Sequence, residues 1–390
     1  MDLSMHCEVH WPNEPVEQIP ARSFVPPHCP SPSCPTHAEP DRTFRFARGS
    51  SYSRKCDQRV VPRFRCMICG KHFSQQTFTF SYYRKRPELE LPVAAGLLAG
   101  SAHRQLARSL KCAPSTVTRL AARLGRHSLL LLALGLDQLD GINEPVVYDD
   151  FETFFLSQDL PCGLSTPVGQ ETSFVYGLDC APHRRSGRRR PARKRRHHPD
   201  PQPESGGYER AFRRTLDLLL ASHRGPGRLK VITDKHPGYR AGLRAHPQRH
   251  RIRHLVYANP KKWPSEEATR RNQAMFAADV LHMLIRHSLA HHRRETIAFC
   301  RRLNALLERG FLMAVWRNWI KGRSERKNDT TTPAMQVGLA REPWDWSRVL
   351  VKRLFPWRLR VPAHWMTIYR RGLITPEIGP NTRHTLIRAF

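Results

Sequence analysis

The stretch PVVYDDFETFFL, residues 145–156, decides how the second half of the chain is read. A β-branched run ends in two adjacent acids, Asp149 and Asp150, and aromatic residues then resume. That pattern predicts a strand with carboxylates at its end. Acids there matter because the chain has only 33 Asp and Glu against 65 Lys and Arg. RLKVITDKHPGY, residues 228–239, repeats the arrangement with a short apolar strand, then Asp234, then a turn. If the two strands are parallel neighbours, both carboxylates leave the sheet at the same edge, where open α/β sheets carry their sites.

Around these stretches, TSFVYGLDCA (172–181) and IRHLVYAN (252–259) read as further strands, and ERAFRRTLDLLLAS (209–222) as a helix. A long helical region is expected over about 267–320. Strands and helices in this order predict a mixed α/β sheet over 140–325. Carboxylate oxygens suit magnesium or manganese, and two such ions can clamp the attacking and leaving oxygens of a phosphodiester displacement. A third acid is expected from the helix over 280–307. One stripe there runs Leu281, Leu284, Ser288, His292, Glu295, Phe299 and Leu303, so Glu295 falls on the apolar face, an expensive position for an unpaired carboxylate. Arg302, seven positions on, would lie on the same side, suited to a phosphate. Glu267 is the competitor, although an acid in the first turn after Pro264 is already explained by the helix dipole.

At 390 residues the chain is long enough for two or three domains. A formal charge of +32 is self-repelling and makes sense beside a polyanion, with nucleic acid the leading partner. An anionic membrane is the rival, but no window approaches the roughly 18 apolar residues of a spanning helix, and SLLLLALGL (128–136) is too short. The start, MDLSMHCEVHWP, has no basic region followed by an apolar one, so no signal peptide is expected. Ten scattered cysteines fit a reducing compartment better than a disulfide scaffold. Nine of the thirteen residues from Arg184 to Arg196 are basic, so 183–207 reads as a charge-extended insertion.

Residues 1–22 show no period and read as a loose leader. In 23–80, CPSPSC supplies Cys29 and Cys34, and CMICG supplies Cys66 and Cys69. Two cysteine knuckles across a strand-rich spacer predict a four-thiolate structural zinc site, with Gly70 suited to the special backbone of the second turn. Cys56, His28, His37 and the Met-His-Cys at 5–7 are alternative ligands. A redox dithiol would sit at a helix start in a βαβ unit, which does not surround 66–69. Over 88–136 the pattern is helical. SAHRQLARSLKCAPSTVTRLAARLGRH (101–127) reads as two short helices broken at Cys112–Ala113, with Pro114 opening the second. Leu106, Val117, Leu120 and Leu124 face inward, which leaves Ser115, Thr116, Thr118 and Arg119 where a recognition helix meets DNA. An ordinary basic helical hairpin reads the same way. Residues 326–390, rich in Trp, Pro and Arg, show no clear pattern.

In this order the parts resemble the DDE transposases of bacterial insertion sequences. The carriers are CPSPSC…CMICGKHFSQQTF, HRQLARSLKCAPSTVTRLAARLGRH, YDDFETF, TDKHPGY and RRETIAF…WRNWIKGR, over roughly 25–340. The resemblance implies an α/β multidomain chain with a zinc ribbon, a helix-turn-helix and an RNase H-like catalytic domain. It also implies metal-dependent cleavage at element ends and strand transfer into target DNA, by homo-oligomers on DNA in the bacterial cytoplasm. Asp149 and Asp234 would bind the catalytic metals, and Glu295 with Arg302 would complete the site. The 61 residues from Asp234 to Glu295 exceed the spacing common in this superfamily. A DNA-binding regulator or a domesticated, inactive transposase would share the zinc ribbon and helix-turn-helix. An RNA-binding protein is disfavoured because no aromatic stacking platform is evident, and a glycosidase because a neutral sugar does not call for such charge.

Overall fold

The computed structural model describes residues 11–12, 14–38, 43–158, 160–183, 206–294, 296–375 and 378. The basic insertion falls outside them except for residues 183, 206 and 207, and so does Glu295. The chain is mixed α/β.

After a single helical turn, Pro35–Ala38, come five short strands: β1 (Phe46–Arg48), β2 (Tyr52–Ser53), β3 (Val60–Val61), β4 (Arg63–Cys66) and β5 (His72–Ser74). β4 pairs antiparallel with both β1 and β5. Its alternation buries Phe64 and Cys66 and turns Arg63 and Arg65 outward. Phe64 stacks on Phe73 at 5.6 Å, and Phe24, Phe78 and the distant Phe355 complete a small aromatic core.

Three helices follow, α1 (Glu90–Leu98), α2 (His103–Ser109) and α3 (Pro114–Gln138). The break before Pro114 lies where the sequence predicts it, with Lys111 at a positive φ of 48°. α3 does not stop after a short recognition segment but runs 25 residues. The reason is Leu129–Leu132, four leucines with no exposed surface, which continue the apolar face into the core.

The main elements that follow are β6 (Val146–Val147), β7 (Asp150–Phe154), β8 (Pro161–Ser165), β9 (Val168–Gly169), β10 (Asp179–Pro182), α4 (Gly207–Ser222), β11 (Leu229–Thr233), α5 (Pro237–Arg244), β12 (Ile252–Val256), α6 (Glu266–Ser288), α7 (Leu303–Val315) and α8 (Ala363–Tyr369). β6 runs into β7 across only Tyr148 and Asp149, and β8 into β9 across Thr166 and Pro167. Counted as continuous runs, the five strands lie in the order third, second, first, fourth, fifth. The first three are antiparallel, and the fourth and fifth run parallel to the first. The run Pro161–Ser165 was not legible as a strand because Pro, Cys, Gly and Ser are poor strand signals. It is buried throughout, and Gly163 stands there because a Cβ would lie 3.0 Å from the Asp150 Cβ and from the Tyr208 ring.

The helical region expected over 267–320 is interrupted. α6 ends at Ser288 and α7 begins at Leu303. Between them Thr296 turns the chain, its hydroxyl donating to the Ala290 carbonyl and accepting from the Ala298 N–H, a local alternative to helix. Cys300 then bridges Phe155 beyond the end of β7, with the Leu156 N–H donating to the Cys300 carbonyl at 2.8 Å. Phe299 therefore does not continue the stripe of Leu281 and Leu284, and Arg302 caps α7 rather than lying two helical turns along α6.

Residues 326–375 are ordered into the fold. Trp344 stacks on Trp11 at 5.7 Å and lies 5.9 Å from Trp319. The Arg353 guanidinium donates to the Thr77 carbonyl, fastening this segment to the cysteine-bearing module. Among the described residues no helix is long and apolar enough to cross a membrane.

α3 and α7 cross at Gly125, where a Cβ would come within 2.1 Å of the Glu308 carbonyl oxygen. The Gly125→Ala variant gains about 1 kcal/mol of helix propensity but must force the helices apart. A net loss of about 2 kcal/mol or more is expected in chemical denaturation. A more stable variant would show that the close crossing is not a constraint.

Candidate functional site

Four thiols converge at the N-terminal module. Cys29 and Cys34 come from the loop before β1, Cys66 ends β4, and Cys69 lies in the turn to β5. Their sulfur atoms all lie within 4.8 Å of one another, with Cys29–Cys69 at 3.6 Å and Cys34–Cys66 at 3.8 Å. A tetrahedron with metal–sulfur bonds of about 2.3 Å has edges of about 3.8 Å, so the set fits zinc. Gly70, at φ +72°, donates to the Cys66 carbonyl and closes the second knuckle. Burial pushes the Cys29 thiol up, while Cys66, despite burial, is held below its ordinary value by the N–H groups of Cys69 and Ile68. Thiolate formation and metal binding are thereby coupled. The rival ligands do not join them. His28 and His37 both turn Nδ1 to the Cys29 carbonyl, at 3.0 and 2.7 Å, and Cys56 is exposed. The Met-His-Cys at 5–7 lies outside the described residues.

The second constellation sits where strand pairing ends. Val146 and Val147 pair with Val231 and Ile232, and the Tyr148 N–H donates to the Ile232 carbonyl. Carried two residues further, this register sets Asp149 beside Asp234. The adjacent acids Asp149 and Asp150 have different surroundings. Asp150 is buried and accepts from Ser165 Oγ at 2.7 Å and Tyr239 OH at 2.9 Å, and Tyr148 OH in turn donates to Ser165. Burial lifts its carboxyl to about 6 while these donors pull it down. Asp149 accepts from the Asp150 N–H at 2.9 Å and, among the described residues, from no side-chain donor at hydrogen-bond distance. Burial first, then the neighbouring carboxylates Asp234 and Asp150, push it up to about 8. Asp234 accepts the His236 N–H at the start of the next turn.

Sequence reading missed His282 on α6. Its Nε2 lies 2.8 Å from Thr166 Oγ1, and that hydroxyl donates to the Asp149 carbonyl. Thr166 therefore has no proton left for the ring, so Nε2 carries the hydrogen and Nδ1 keeps a lone pair, 3.8 Å from Asp149 Oδ2. Burial holds His282 down near 3, so it is neutral. Crowded acids beside a lone pair make a donor set that a hard divalent cation would relieve. No single sequence motif marks His282; a helix brings it to the sheet edge. Glu267 is exposed in the first turn of α6, the ordinary place for a dipole-favoured acid. Glu295 lies outside the described residues.

Of the residues expected on the recognition face, Ser115, Thr118 and Arg119 are exposed and Thr116 is half-buried. Thr118 is engaged, donating to the Pro114 carbonyl and meeting His103 Nδ1 at 2.9 Å. Thr118 and Arg302 line one groove, which Ser115, Thr116 and Arg119 do not.

No protein-family model matches the chain, and no curated protein matches it.

Elemental analysis of protein purified without chelator should give about one zinc per chain. Cys66→Ser should lose it and make the N-terminal module sensitive to protease, while Cys56→Ser keeps both zinc and resistance. Equal zinc content in the two variants would remove the four-thiolate assignment. Asp149 gives a second test. Its proton is held more tightly in the folded chain than in the unfolded one, so its contribution to stability is full below about pH 4. That contribution is lost as pH rises toward 8. Asp149→Asn should therefore raise the thermal midpoint at pH 8 in metal-free buffer, and a lowered midpoint would contradict the crowding.

Proposed function

We propose that this chain is a DNA transposase of the DDE type, binding the ends of an insertion sequence and carrying out metal-dependent cleavage and strand transfer. The observation that carries the reading is the meeting of Asp149, at the joint between β6 and β7, with Asp234, just past the end of the neighbouring parallel strand β11. The sheet order supports it, since three antiparallel strands followed by two parallel to the first is the arrangement of an RNase H-like domain. The four-thiolate cluster with Arg63 and Arg65 turned outward supports a zinc ribbon facing DNA. The α2–α3 pair, broken at Pro114, supports a helix-turn-helix.

In this reading Asp149 and Asp234 hold magnesium or manganese, with Asp150 kept structural by Ser165 and Tyr239. Magnesium bound there would activate a water and stabilise the oxygens of the phosphodiester displacement. Thr166 fixes both the Asp149 backbone and the tautomer of His282, so the ring presents Nδ1 to the carboxylate and donates nothing to it. Glu295 and Arg302 remain the third acid and the phosphate contact by resemblance. Zinc in the N-terminal module would be structural, and assembly as a homo-oligomer on DNA follows from the same likeness.

One observation favours a second reading, a DNA-binding regulator or inactive copy. Among the described residues only the four cysteines converge closely enough to hold a metal as they stand.

The test uses a duplex carrying the inverted repeats that flank the gene, incubated with protein and magnesium. Wild type should nick the repeat ends, and Asp234→Asn should cut at least a hundredfold more slowly while binding as tightly. Specific binding by both with cutting by neither would establish the regulator instead.

A further inference from the structure

One groove, of about 1580 Å³, lies away from the thiolates. One wall is α2 with the first turn of α3, and the other is residues 289–291, 293 and 296–302, where the expected helix is interrupted. Seven arginines line it, with His103 and His291, and no Asp or Glu appears among the described lining residues. Arg104, Arg108, Arg293 and Arg301 are exposed and form no ion pair with any described residue. Four guanidiniums without a described carboxylate partner in one groove repel one another unless an anion lies between them. The volume exceeds the roughly 300–1,000 Å³ of small-molecule pockets, so a polymer is the better occupant.

The walls are fixed to each other. Arg309 donates through Nη1 to Cys300 Sγ at 2.5 Å and through Nη2 to His103 Nε2 at 2.7 Å. His103 then carries its hydrogen on Nδ1, toward Thr118. Above this floor Ile297 is 100% exposed, at the tip of the turn that Thr296 builds. An apolar side chain held wholly in solvent within a cationic groove has the character of the wedges that proteins insert at base steps. The groove also has a defined relation to the acids. Cys300 bridges Phe155, six residues along the strand run from Asp149. That is at most about 20 Å, or about six base pairs of duplex.

We propose that this groove is a duplex DNA contact in its own right, gripping phosphates through Arg104, Arg108, Arg293 and Arg301 and setting Ile297 against a base step. It rests on the reading of DNA as the partner and not on the chemistry of Asp149 and Asp234. Full-length protein is titrated by fluorescence polarisation with a duplex carrying the flanking inverted repeats, across a range of salt. Replacing Arg104, Arg293 and Arg301 by Ala should weaken binding and flatten the slope of log affinity against log salt by about 0.9 per arginine. The thermal midpoint should stay unchanged. A slope and affinity equal to wild type overturn the groove, even if wild type cuts DNA. A flattened slope supports it even if no cutting is seen. With 2-aminopurine scanned through the duplex, one position should brighten severalfold on binding wild type and stay quenched with Ile297→Ala. Equal brightening by both proteins overturns the wedge.

Discussion

One strand serves two ladders, and the sheet is built on that constraint. Val146 and Val147 pair with β11 and β9, whereas Asp150–Phe154 pair with β8 alone. Tyr148 and Asp149 are the joint between the two ladders. A side chain at such a joint is held by its neighbours yet is not flattened into continuous pairing. That places Asp149 toward Asp234 and His282, and Asp150 into the donors Ser165 and Tyr239. On the free edge of β7 the Glu152 carbonyl accepts from Arg286 at 3.5 Å, and Cys300 bridges the residue beyond the strand's end.

The small N-terminal module depends on distant parts of the chain. Its aromatic core takes in Phe355, Val16 donates to the Val351 carbonyl, and Arg358 donates to the His37 carbonyl. A few short strands with little apolar surface gain fixed geometry from four thiolates and from this clasp together. Orientation of the module toward the rest of the chain is thus set by packing and not by a linker.

Charge and stability pull against each other. A surplus of +32 weakens the folded state, and Asp149 adds a partly buried carboxylate crowded by two others. A buried carboxylate elsewhere is paired. Glu308 meets Arg126 at 3.1 Å and Arg371 at 3.0 Å, joining α7 to α3 and to the turn after α8. Four arginines without a described carboxylate partner in one groove and crowded acids at one sheet edge concentrate the cost where an anion and a cation would remove it.

Local sequence determined what depends on local chemistry. The cysteine pairs with Gly70, the break before Pro114, the strand that carries Asp149, the strand that leads to Asp234, and the helix near 209–222 were all legible, because knuckles, proline and β-branched runs act within a few residues. Tertiary structure decided the rest. Pro161–Ser165 became a central strand only because both of its faces are covered. Residues 289–294 and 296–302 left the helix because Thr296 found the Ala290 carbonyl and Cys300 found the end of β7. His282 reached Asp149 only when α6 packed on the sheet. Composition gave the excess of positive charge, but its gathering into one groove without a described carboxylate required α2 and the 289–302 segment to face each other, and residues nearly two hundred apart in sequence do not announce that they will meet.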